Sequence, residues 1–290
     1  MANDIKKYNF KAGLPIEFEI VDLNQLYKIN KDILTHPHRT AFYHVLWFQK
    51  GNPIHLVDFR PFSPKSNTIL FLNKDVVHRF DPRGNFDGKA ILFTENFFCQ
   101  TDADMQFLHT SILFNDLFIF SSIQIPEQNQ HLVHLFNIMT DEVNHLTETC
   151  HADILKSLLH SFLLFAERER LKQNFAEIKK GADFDYVMAF KQILEKSFRK
   201  QKHVSCYAQQ LNITEKRLSQ ATSKVLGSSP KEMISERILL EAKRLLVHTN
   251  ESVKEIGYTL GFEDPTYFIK YFRKHTHKTP LEFRKYYINS

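Results

Sequence analysis

The sequence predicts an α+β protein, with a β-barrel and a helical pair in its N-terminal part and an all-α domain at its C-terminal end. Three observations carry this prediction. Short strand-like segments recur about every ten residues over 41–94, apolar residues recur at three- and four-residue intervals after Pro126, and residues 185–286 repeat themselves. A chain of 290 residues has room for two such domains.

The composition is that of a folded protein in an aqueous compartment. Hydrophobic residues make up 43% of the chain and charged residues 24%, which excludes general disorder. No apolar run is long enough to cross a membrane, and the N-terminal residues lack the apolar core of an export signal. Cys99, Cys150 and Cys206 form no paired motif, which argues against a disulfide framework or a zinc finger. We therefore expect a cytoplasmic protein without membrane contact.

The strand region begins with an aromatic and β-branched segment at 41–48. A turn at 50–53 and an alternating segment at 54–59 follow it, which predicts a hairpin. Further strands are predicted at 68–72 and 89–94. Such spacing is typical of an antiparallel sandwich or barrel, and a barrel of this size can enclose one small ligand. The 27 phenylalanines either line that ligand site or fill the core.

The helical pair follows at 127–147 and 152–172, where the apolar residues form continuous stripes. These stripes either form a dimer surface, which we favour, or only cover the barrel.

Histidines are the candidate chemical groups of the N-terminal part. His36, His38, His44 and His78 lie in the strand region and could bind a metal ion or contact a polar ligand. Because no carboxylate has a ligand-like spacing with them, we expect no metal and no cofactor. We predict an effector site that these four histidines form together with Trp47.

The C-terminal repeat relates residues 208–213 to 257–262 and residues 229–232 to 279–282. In each copy a small residue (Ala208, Gly257) allows close helix packing, and a residue that tolerates positive φ (Asn212, Gly261) ends the first helix. Ile213 or Phe262 then fills the corner. This pattern predicts two helix-turn-helix units.

Helix-capping residues support the same interpretation. Thr214 and Asp264 are predicted caps of the second helix in each unit, and 229–232 and 279–282 are capping boxes with Pro230 and Pro280 at the first helical position. A helix over 231–248 joins the units, with apolar residues every three to four positions. At about 1.5 Å per residue it spans about 27 Å, so the two units could reach neighbouring major grooves about 34 Å apart.

Charge is distributed unevenly along the chain. Residues 181–290 contain 19 Lys and Arg against 12 Asp and Glu, whereas the remainder is slightly acidic. Such a basic domain is typical of polyanion binding, although a solvated basic surface has the same composition. On the two predicted recognition helices, Leu218, Ala221, Val225, Phe268 and Phe272 are expected to face inward. The candidate DNA-binding residues on the outer faces are Lys216, Arg217, Ser219, Gln220, Ser223, Thr266, Lys270, Arg273 and Lys274.

The C-terminal hundred residues resemble the AraC-type (AraC/XylS) transcription regulators. The resemblance lies in Tyr207-Ala208-x-x-Leu211-x-Ile213, Leu226-Gly227-x-Ser229-Pro230, Arg237-Ile238-x-x-x-Ala242, Ser252-Val253-x-Glu255-Ile256-Gly257, Leu260-Gly261-Phe262-x-Asp264-x-Thr266-Tyr267-Phe268, Phe272-Arg273-Lys274 and Thr279-Pro280-x-x-Phe283-Arg284. It implies a DNA-binding domain with two helix-turn-helix units. It also implies that the N-terminal half is the cupin-like effector-binding and dimerisation domain, through Pro37-His38-Arg39, Phe42-Tyr43 and Asp75-x-x-His78.

The chain departs from the family pattern at three positions. Gln220 and Thr222 stand where family members usually have Arg and Phe, and His44 stands where an acidic residue is common. The second unit follows the pattern more closely than the first.

The resulting prediction is a sequence-specific DNA-binding transcription regulator, an activator in keeping with the family, with a possible small-molecule effector. Its domains are 1–172 for effector binding and dimerisation, 173–184 as a linker, and 185–290 for DNA binding. The expected partners are promoter DNA, RNA polymerase, an effector and a second copy of the chain bound through 127–172. We expect no enzymatic activity.

Two alternatives remain open at this point. A cupin-type metal-dependent enzyme fused to a DNA-binding module would use the histidines, whereas an interaction protein that has lost DNA binding would explain Gln220 and Thr222.

Overall fold

The computed structural model describes residues 6–114, 121–126, 130–175 and 182–288. The chain divides into two compact units, Lys6–Asn174 and Phe175–Ser290. Half of the predicted linker, 173–184, falls outside the described residues. Within the other half, one helix continues to Phe175 and another begins at Ala182. The exact domain boundaries therefore stay a prediction.

Among the described residues of the N-terminal unit, ten strands form three sheets. They are β1 (Lys7–Tyr8), β2 (Phe18–Asp22), β3 (Arg39–Thr40), β4 (Tyr43–Gly51), β5 (His55–Val57), β6 (Arg60–Phe62), β7 (Thr68–Leu72), β8 (His78–Arg79), β9 (Phe86–Phe93) and β10 (Ser121–Gln124). The largest sheet is antiparallel in the order β10-β7-β4-β9-β2, a smaller one has the order β6-β5-β8, and β1 pairs with β3 in parallel.

The sheets do not close into a barrel, which corrects that part of the sequence prediction. Among the described residues, the edge strands β10 and β2 pair only with β7 and β9, respectively. The predicted hairpin between 41–48 and 54–59 is also wrong, because β4 already has β7 on one side and β9 on the other and offers β5 no free edge. Beyond Gly51, the chain therefore leaves the large sheet, and β5 pairs with β6 and β8 instead.

Strand β4 is buried on both faces and divides the unit into two apolar cores. Tyr43, Val45 and Trp47 belong to a core shared with the helices, which we call the helix-side core. Leu46 and Phe48 belong to the opposite core, which we call the histidine-side core. The alternation follows from the two-residue period of a strand, so neighbouring residues serve different cores.

The helices of this unit are α1 (Leu23–Leu34), α2 (Glu95–Phe98), α3 (Asp102–Thr110), α4 (Gln130–Glu142) and α5 (His151–Phe175). The last two are the predicted helical pair, and they cover the large sheet through Phe136, Phe162 and other residues of the helix-side core. Within the described residues, no helix is long and apolar enough to span a membrane.

The C-terminal unit is entirely helical in the described residues. Its helices are α6 (Ala182–Ser197), α7 (Val204–Gln210), α8 (Glu215–Leu226), α9 (Pro230–His248), α10 (Val253–Thr259), α11 (Pro265–Thr276) and α12 (Pro280–Ile288). Helices α7 and α8 form the first helix-turn-helix unit, α10 and α11 form the second, and α9 joins them. The mixed α+β architecture, with a sheet-rich N-terminal part and a helical C-terminal part, is as predicted.

Candidate nucleic-acid interface

The turns of the two helix-turn-helix units have the same backbone geometry. Asn212 and Gly261 both adopt the left-handed conformation, with φ of 55° and 73°. An amide N–H just past the turn donates to a carbonyl five residues earlier in each unit. These bonds run from Ile213 N to Ala208 O (3.0 Å) and from Phe262 N to Gly257 O (2.9 Å). The repeat found in the sequence is therefore a repeat of structure.

The predicted caps are also formed. The Thr214 hydroxyl accepts a bond from the backbone N–H of Arg217 (3.1 Å) and starts α8, and the Asp264 carboxylate accepts one from the N–H of Thr266 (2.7 Å) and starts α11. Each recognition helix then ends at a left-handed residue, Gly227 for α8 and His277 for α11. Both helices therefore have defined ends.

Reciprocal capping boxes begin the helices that follow. Ser229 and Glu232 exchange bonds at the start of α9. At the start of α12, the Thr279 N–H donates to the Glu282 carboxylate (2.7 Å), and the Glu282 N–H donates to the Thr279 hydroxyl (3.2 Å). These boxes lower the pKa of both carboxyl groups, chiefly through the backbone N–H bonds that the carboxylates accept.

The inner faces of the recognition helices are apolar and closed to solvent. Leu218, Ala221 and Val225 of α8 are buried, as are Phe268 and Phe272 of α11. These five inward positions are as predicted. Thr222 is also fully buried on α8, where its hydroxyl donates to the Ser219 carbonyl (3.3 Å).

The outer faces carry most of the predicted DNA-binding residues in exposed positions. Two of them, Arg217 and Ser219, are partly buried. The exposed candidates are Lys216, Gln220 and Ser223 on α8 and Thr266, Lys270, Arg273 and Lys274 on α11. Each helix thus combines a buried apolar stripe with a polar, cationic outer face.

Arg217 differs from the other candidates, because it already has a carboxylate partner. It forms an ion pair with Asp183 of α6, and its guanidinium lies 5.0 Å from the centre of the Tyr186 ring. Lys224 donates to the same carboxylate at 2.8 Å. The two cations lower the pKa of Asp183, with the bond from Lys224 as the largest cause. Asp183 is not among the site residues predicted from the sequence.

In the N-terminal unit, four buried imidazoles form one group, which we call the histidine cluster: His38, His44, His55 and His78. Ring centres of His38, His44 and His55 lie 4.4, 4.9 and 5.3 Å from that of His78. Nδ1 of His78 and Nε2 of His55 are 3.3 Å apart, so one nitrogen donates to the other. Backbone bonds in both directions between His38 and His78 hold two of the rings together.

Burial keeps these imidazoles neutral. It lowers the pKa of His44 and of His55 to about 3, and the other imidazoles add a smaller repulsion. The pKa values of His38 and His78 are lowered for the same principal reason. Desolvation disfavours a charged ring, so the cluster acts as a set of neutral hydrogen-bonding groups.

The structure brings together only part of the predicted effector site. His38, His44 and His78 are in the histidine cluster, but His36 is exposed and its Nδ1 lies 2.6 Å from the Asp32 carbonyl. Trp47 is three residues from His44 on the same strand, so the two side chains point to opposite faces. Trp47 therefore faces the helix-side core, where its ring centre lies 5.2 Å from that of Phe136. No group of three or more His, Cys, Asp or Glu side chains among the described residues is arranged to hold a metal ion.

His55, the fourth member of the cluster, is not among the residues predicted from the sequence. The sequence pattern that could have indicated His55 is the alternating segment around Val57. His55 lies two residues before Val57, so both residues are on the buried face of β5.

Two family descriptions match the chain in separate parts. Residues 28–163 match an AraC-like ligand binding domain, and residues 207–286 match a helix-turn-helix domain. The chain belongs to the AraC family. The resemblance seen in the sequence is thus confirmed, and the helix-turn-helix match coincides with α7–α12.

Several relatives show how far the similarity extends. The lactose operon transcription activator of Staphylococcus xylosus is 35% identical over 89 residues, which are 30% of this chain and 32% of that protein. The helix-turn-helix regulator YisR of Bacillus subtilis is 41% identical over 68 residues, 23% and 24% of the two chains. The chain thus spans a third or less of these two relatives. The activator RhaS of Escherichia coli is 22% identical over 86% of this chain and 87% of its own.

Solved structures show similarity to this AraC-family chain as well. ToxT from Vibrio cholerae is 12% identical with a TM-score of 0.44, covering 93% of this chain and 98% of that one. The C-terminal domain of the response regulator yesN from Fusobacterium nucleatum is 29% identical with a TM-score of 0.33, covering 34% and 98%.

Proposed function

We propose that this AraC-family chain is a sequence-specific DNA-binding transcription regulator whose two recognition helices, α8 and α11, read separate blocks of one promoter site. The observation that carries the proposal is the duplicated helix-turn-helix with matched turns, matched caps and exposed polar faces. Exposed Gln220 on α8 and Lys270 on α11 supply groups that hydrogen-bond base edges, whereas Arg273 and Lys274 are suited to phosphates.

The connecting helix supports simultaneous binding of both units. Helix α9 has 19 residues, which corresponds to about 28 Å at 1.5 Å per residue. Successive major grooves on one face of B-DNA lie about 34 Å apart, and modest bending of the DNA shortens that distance. The basic excess of the C-terminal unit supplies the salt-dependent part of the affinity.

The test is selection of genomic fragments by the full-length protein, followed by titration of the enriched site. We expect one motif with two blocks separated by about one helical turn. Lys270→Ala is expected to weaken binding to that site about tenfold and to relax preference in one block. The control is Lys196→Ala, which removes an exposed lysine from α6, outside the recognition helices. Binding without any sequence preference would contradict the proposal.

We propose activation as the mode of regulation, with RNA polymerase as the protein partner. The support is that two of the relatives, in Staphylococcus xylosus and Escherichia coli, carry the name of activators. We also propose a cytoplasmic location, because promoter DNA lies in the cytoplasm of bacteria such as those of these two relatives. In vitro transcription from the selected promoter tests this: added protein should raise the transcript level, and a fall would show repression instead.

We propose that the N-terminal unit binds a small effector, with His38, His44 and His78 beside the ligand. The support is the match of 28–163 to a ligand-binding domain and the unpartnered, buried Nδ1 of His44 and Nε2 of His78. Candidate small molecules should raise the melting temperature of the wild-type unit, and His44→Phe should abolish that rise. A ligand that stabilises both proteins equally would place the effector site elsewhere.

We propose self-association through the helical pair. Ile138, Leu146, Ile154 and Leu164 on or next to α4 and α5 are 41–53% exposed. Such exposed apolar residues on neighbouring helices favour a second copy of the chain. Sedimentation velocity should show a dimer that Leu164→Glu dissociates, and a wild-type monomer at all concentrations would overturn the proposal.

The alternative function is a cupin-type metal-dependent enzyme joined to the DNA-binding module. The closeness of four histidines favours it, but no group of three or more His, Cys, Asp or Glu side chains among the described residues is arranged to hold a metal ion. Membership of a family of transcription regulators, which are typically not enzymes, favours regulation. Metal analysis of the purified protein distinguishes the two. Stoichiometric metal lost on His55→Gln would favour the enzyme.

A further inference from the structure

We propose that the loop at 199–202, which follows α6, fixes the separation between the two recognition helices, with Lys202 as the positioning residue. The inference rests on the proposed function, because a fixed separation matters only where both units bind one DNA segment. The loop gives the C-terminal unit a second connection between its two halves, in addition to α9.

Lys202 bonds directly to the turn of the second helix-turn-helix unit. Its Nζ donates to the Gly261 carbonyl (2.6 Å) and to the Arg199 carbonyl (3.1 Å), and it lies 4.8 Å from the centre of the Phe262 ring. Burial lowers the pKa of this ammonium. One side chain thus binds the loop and the turn together through two charge-assisted hydrogen bonds.

The loop backbone also approaches this turn closely. A Cβ at Gly261 would lie 1.8 Å from the Arg199 carbonyl oxygen, so only glycine fits there. The first unit has Asn212, not glycine, at the equivalent position. The difference between the two copies of the repeat therefore coincides with the place where the loop makes contact.

Ion pairs hold the end of α6 against the middle of α9. The Arg237 guanidinium donates to both oxygens of Glu195 (2.7 Å each) and to Glu241 (3.1 Å), and Arg199 donates to the other oxygen of Glu241 (2.6 Å). Arg237 is buried and lies 3.9 Å from the centre of the Phe198 ring. The segment that carries the loop therefore has little freedom to move relative to α9.

The other end of α6 packs on the first recognition helix. Val187 shares a small apolar core with Ala221 and Val225 of α8, and Asp183 pairs with Lys224. A continuous path of contacts thus runs from α8 through α6 and its loop to the turn that precedes α11. Two units that are fixed at two points keep one separation, whereas units joined by α9 alone can pivot.

The test compares Lys202→Met with Lys200→Met in the full-length protein. Both variants lose one positive charge, but Lys200 is exposed and lies outside the contact with Gly261. We expect Lys202→Met to bind the two-block site about tenfold more weakly than wild type and each isolated block within twofold, because a pivoting unit has a lower effective concentration at its block. The variant should also discriminate less between the native spacing and spacings changed by one base pair.

A DNA-free measurement keeps the two proposals separate. Spin labels at Ser223→Cys and Lys270→Cys, with the three native cysteines replaced by serine, report the distance between α8 and α11. We expect a broader distance distribution for Lys202→Met than for Lys200→Met. Equal distributions, or equal losses on one-block and two-block sites, would overturn the positioning role, whereas failure of the wild type to select any motif would overturn the DNA-binding function alone.

Discussion

Acidification should destabilise the N-terminal unit strongly through the histidine cluster. His44 and His55 have pKa values of about 3 in the folded unit, because burial removes the hydration of the charged ring. In the unfolded chain, both ionise with an ordinary pKa near 6.5. The unfolded state therefore binds more protons below that value, so stability is fully present above pH 6.5 and is lost as the pH falls toward the folded-state pKa.

The size of the effect follows from linkage. Between pH 7.5 and 5.5, one such histidine changes the free energy of unfolding by about 1.4 kcal/mol, and two change it by about 3 kcal/mol. The lowered pKa values of His38 and His78 act in the same direction. Exposed His145 acts in the opposite direction, because the Glu148 carboxylate raises its pKa.

Urea unfolding followed by Trp47 fluorescence measures this quantity. Trp47 is the only tryptophan of the chain and is buried in the N-terminal unit, so its emission reports that unit. His55→Gln should reduce the pH-dependent change by about 1.4 kcal/mol, the contribution of one such histidine. The control variant is His36→Gln, which replaces an exposed histidine outside the cluster. Equal unfolding free energies of the wild type at pH 7.5 and 5.5 would refute the reasoning.

Three further substitutions test the C-terminal unit, with helix content followed by circular dichroism during unfolding. Gly261→Ala should lower the free energy of unfolding by at least about 3 kcal/mol, because the added Cβ overlaps a backbone carbonyl. At Gly227, a Cβ meets no atom within 4 Å, so Gly227→Ala should cost about 1 kcal/mol for its positive φ alone. Equal losses of stability in the two variants would contradict the close approach at Gly261. Phe268→Ala should lower the free energy of unfolding by about 3–5 kcal/mol, because Phe268 is fully buried. Tyr267 is 61% exposed, so Tyr267→Ala should cost less than about 1 kcal/mol. The reverse order would show that α11 presents its opposite face to the core. Arg237→Gln should lower the free energy of unfolding by about 3 kcal/mol, because Glu195 and Glu241 lose their buried partner. An unchanged midpoint of the unfolding transition would show that these ion pairs add nothing to stability.

The parts of the fold that depend on local bonds could be predicted from the sequence. The caps at Thr214, Asp264 and Ser229 are bonds within three residues, and the turn residues Asn212 and Gly261 have a residue-specific conformational preference. Sequence spacing alone was therefore enough to place these bonds and the buried faces of both recognition helices.

Pairing between distant segments could not be predicted in the same way. The sequence suggested a hairpin at Gly51, but the neighbours of β4 are β7 and β9, which come later in the chain. The same limit applies to the predicted effector site, since Trp47 and His44 lie on opposite faces of β4. The contact between Lys202 and Gly261 joins residues 59 positions apart, and no local pattern marks it.

The pairing of Asp183 with Arg217 and Lys224 has a consequence for the thermodynamics of DNA binding. Each cation that docks on a phosphate releases condensed counterions, and their number sets the slope of affinity against salt. A cation that must first leave a carboxylate exchanges one anionic partner for another. Its contact with the phosphate therefore contributes less to the free energy of DNA binding. The outward face of α8 is thus partly neutralised by its own chain, and α11, with Lys270, Arg273 and Lys274 exposed, should supply most of the salt-dependent attraction.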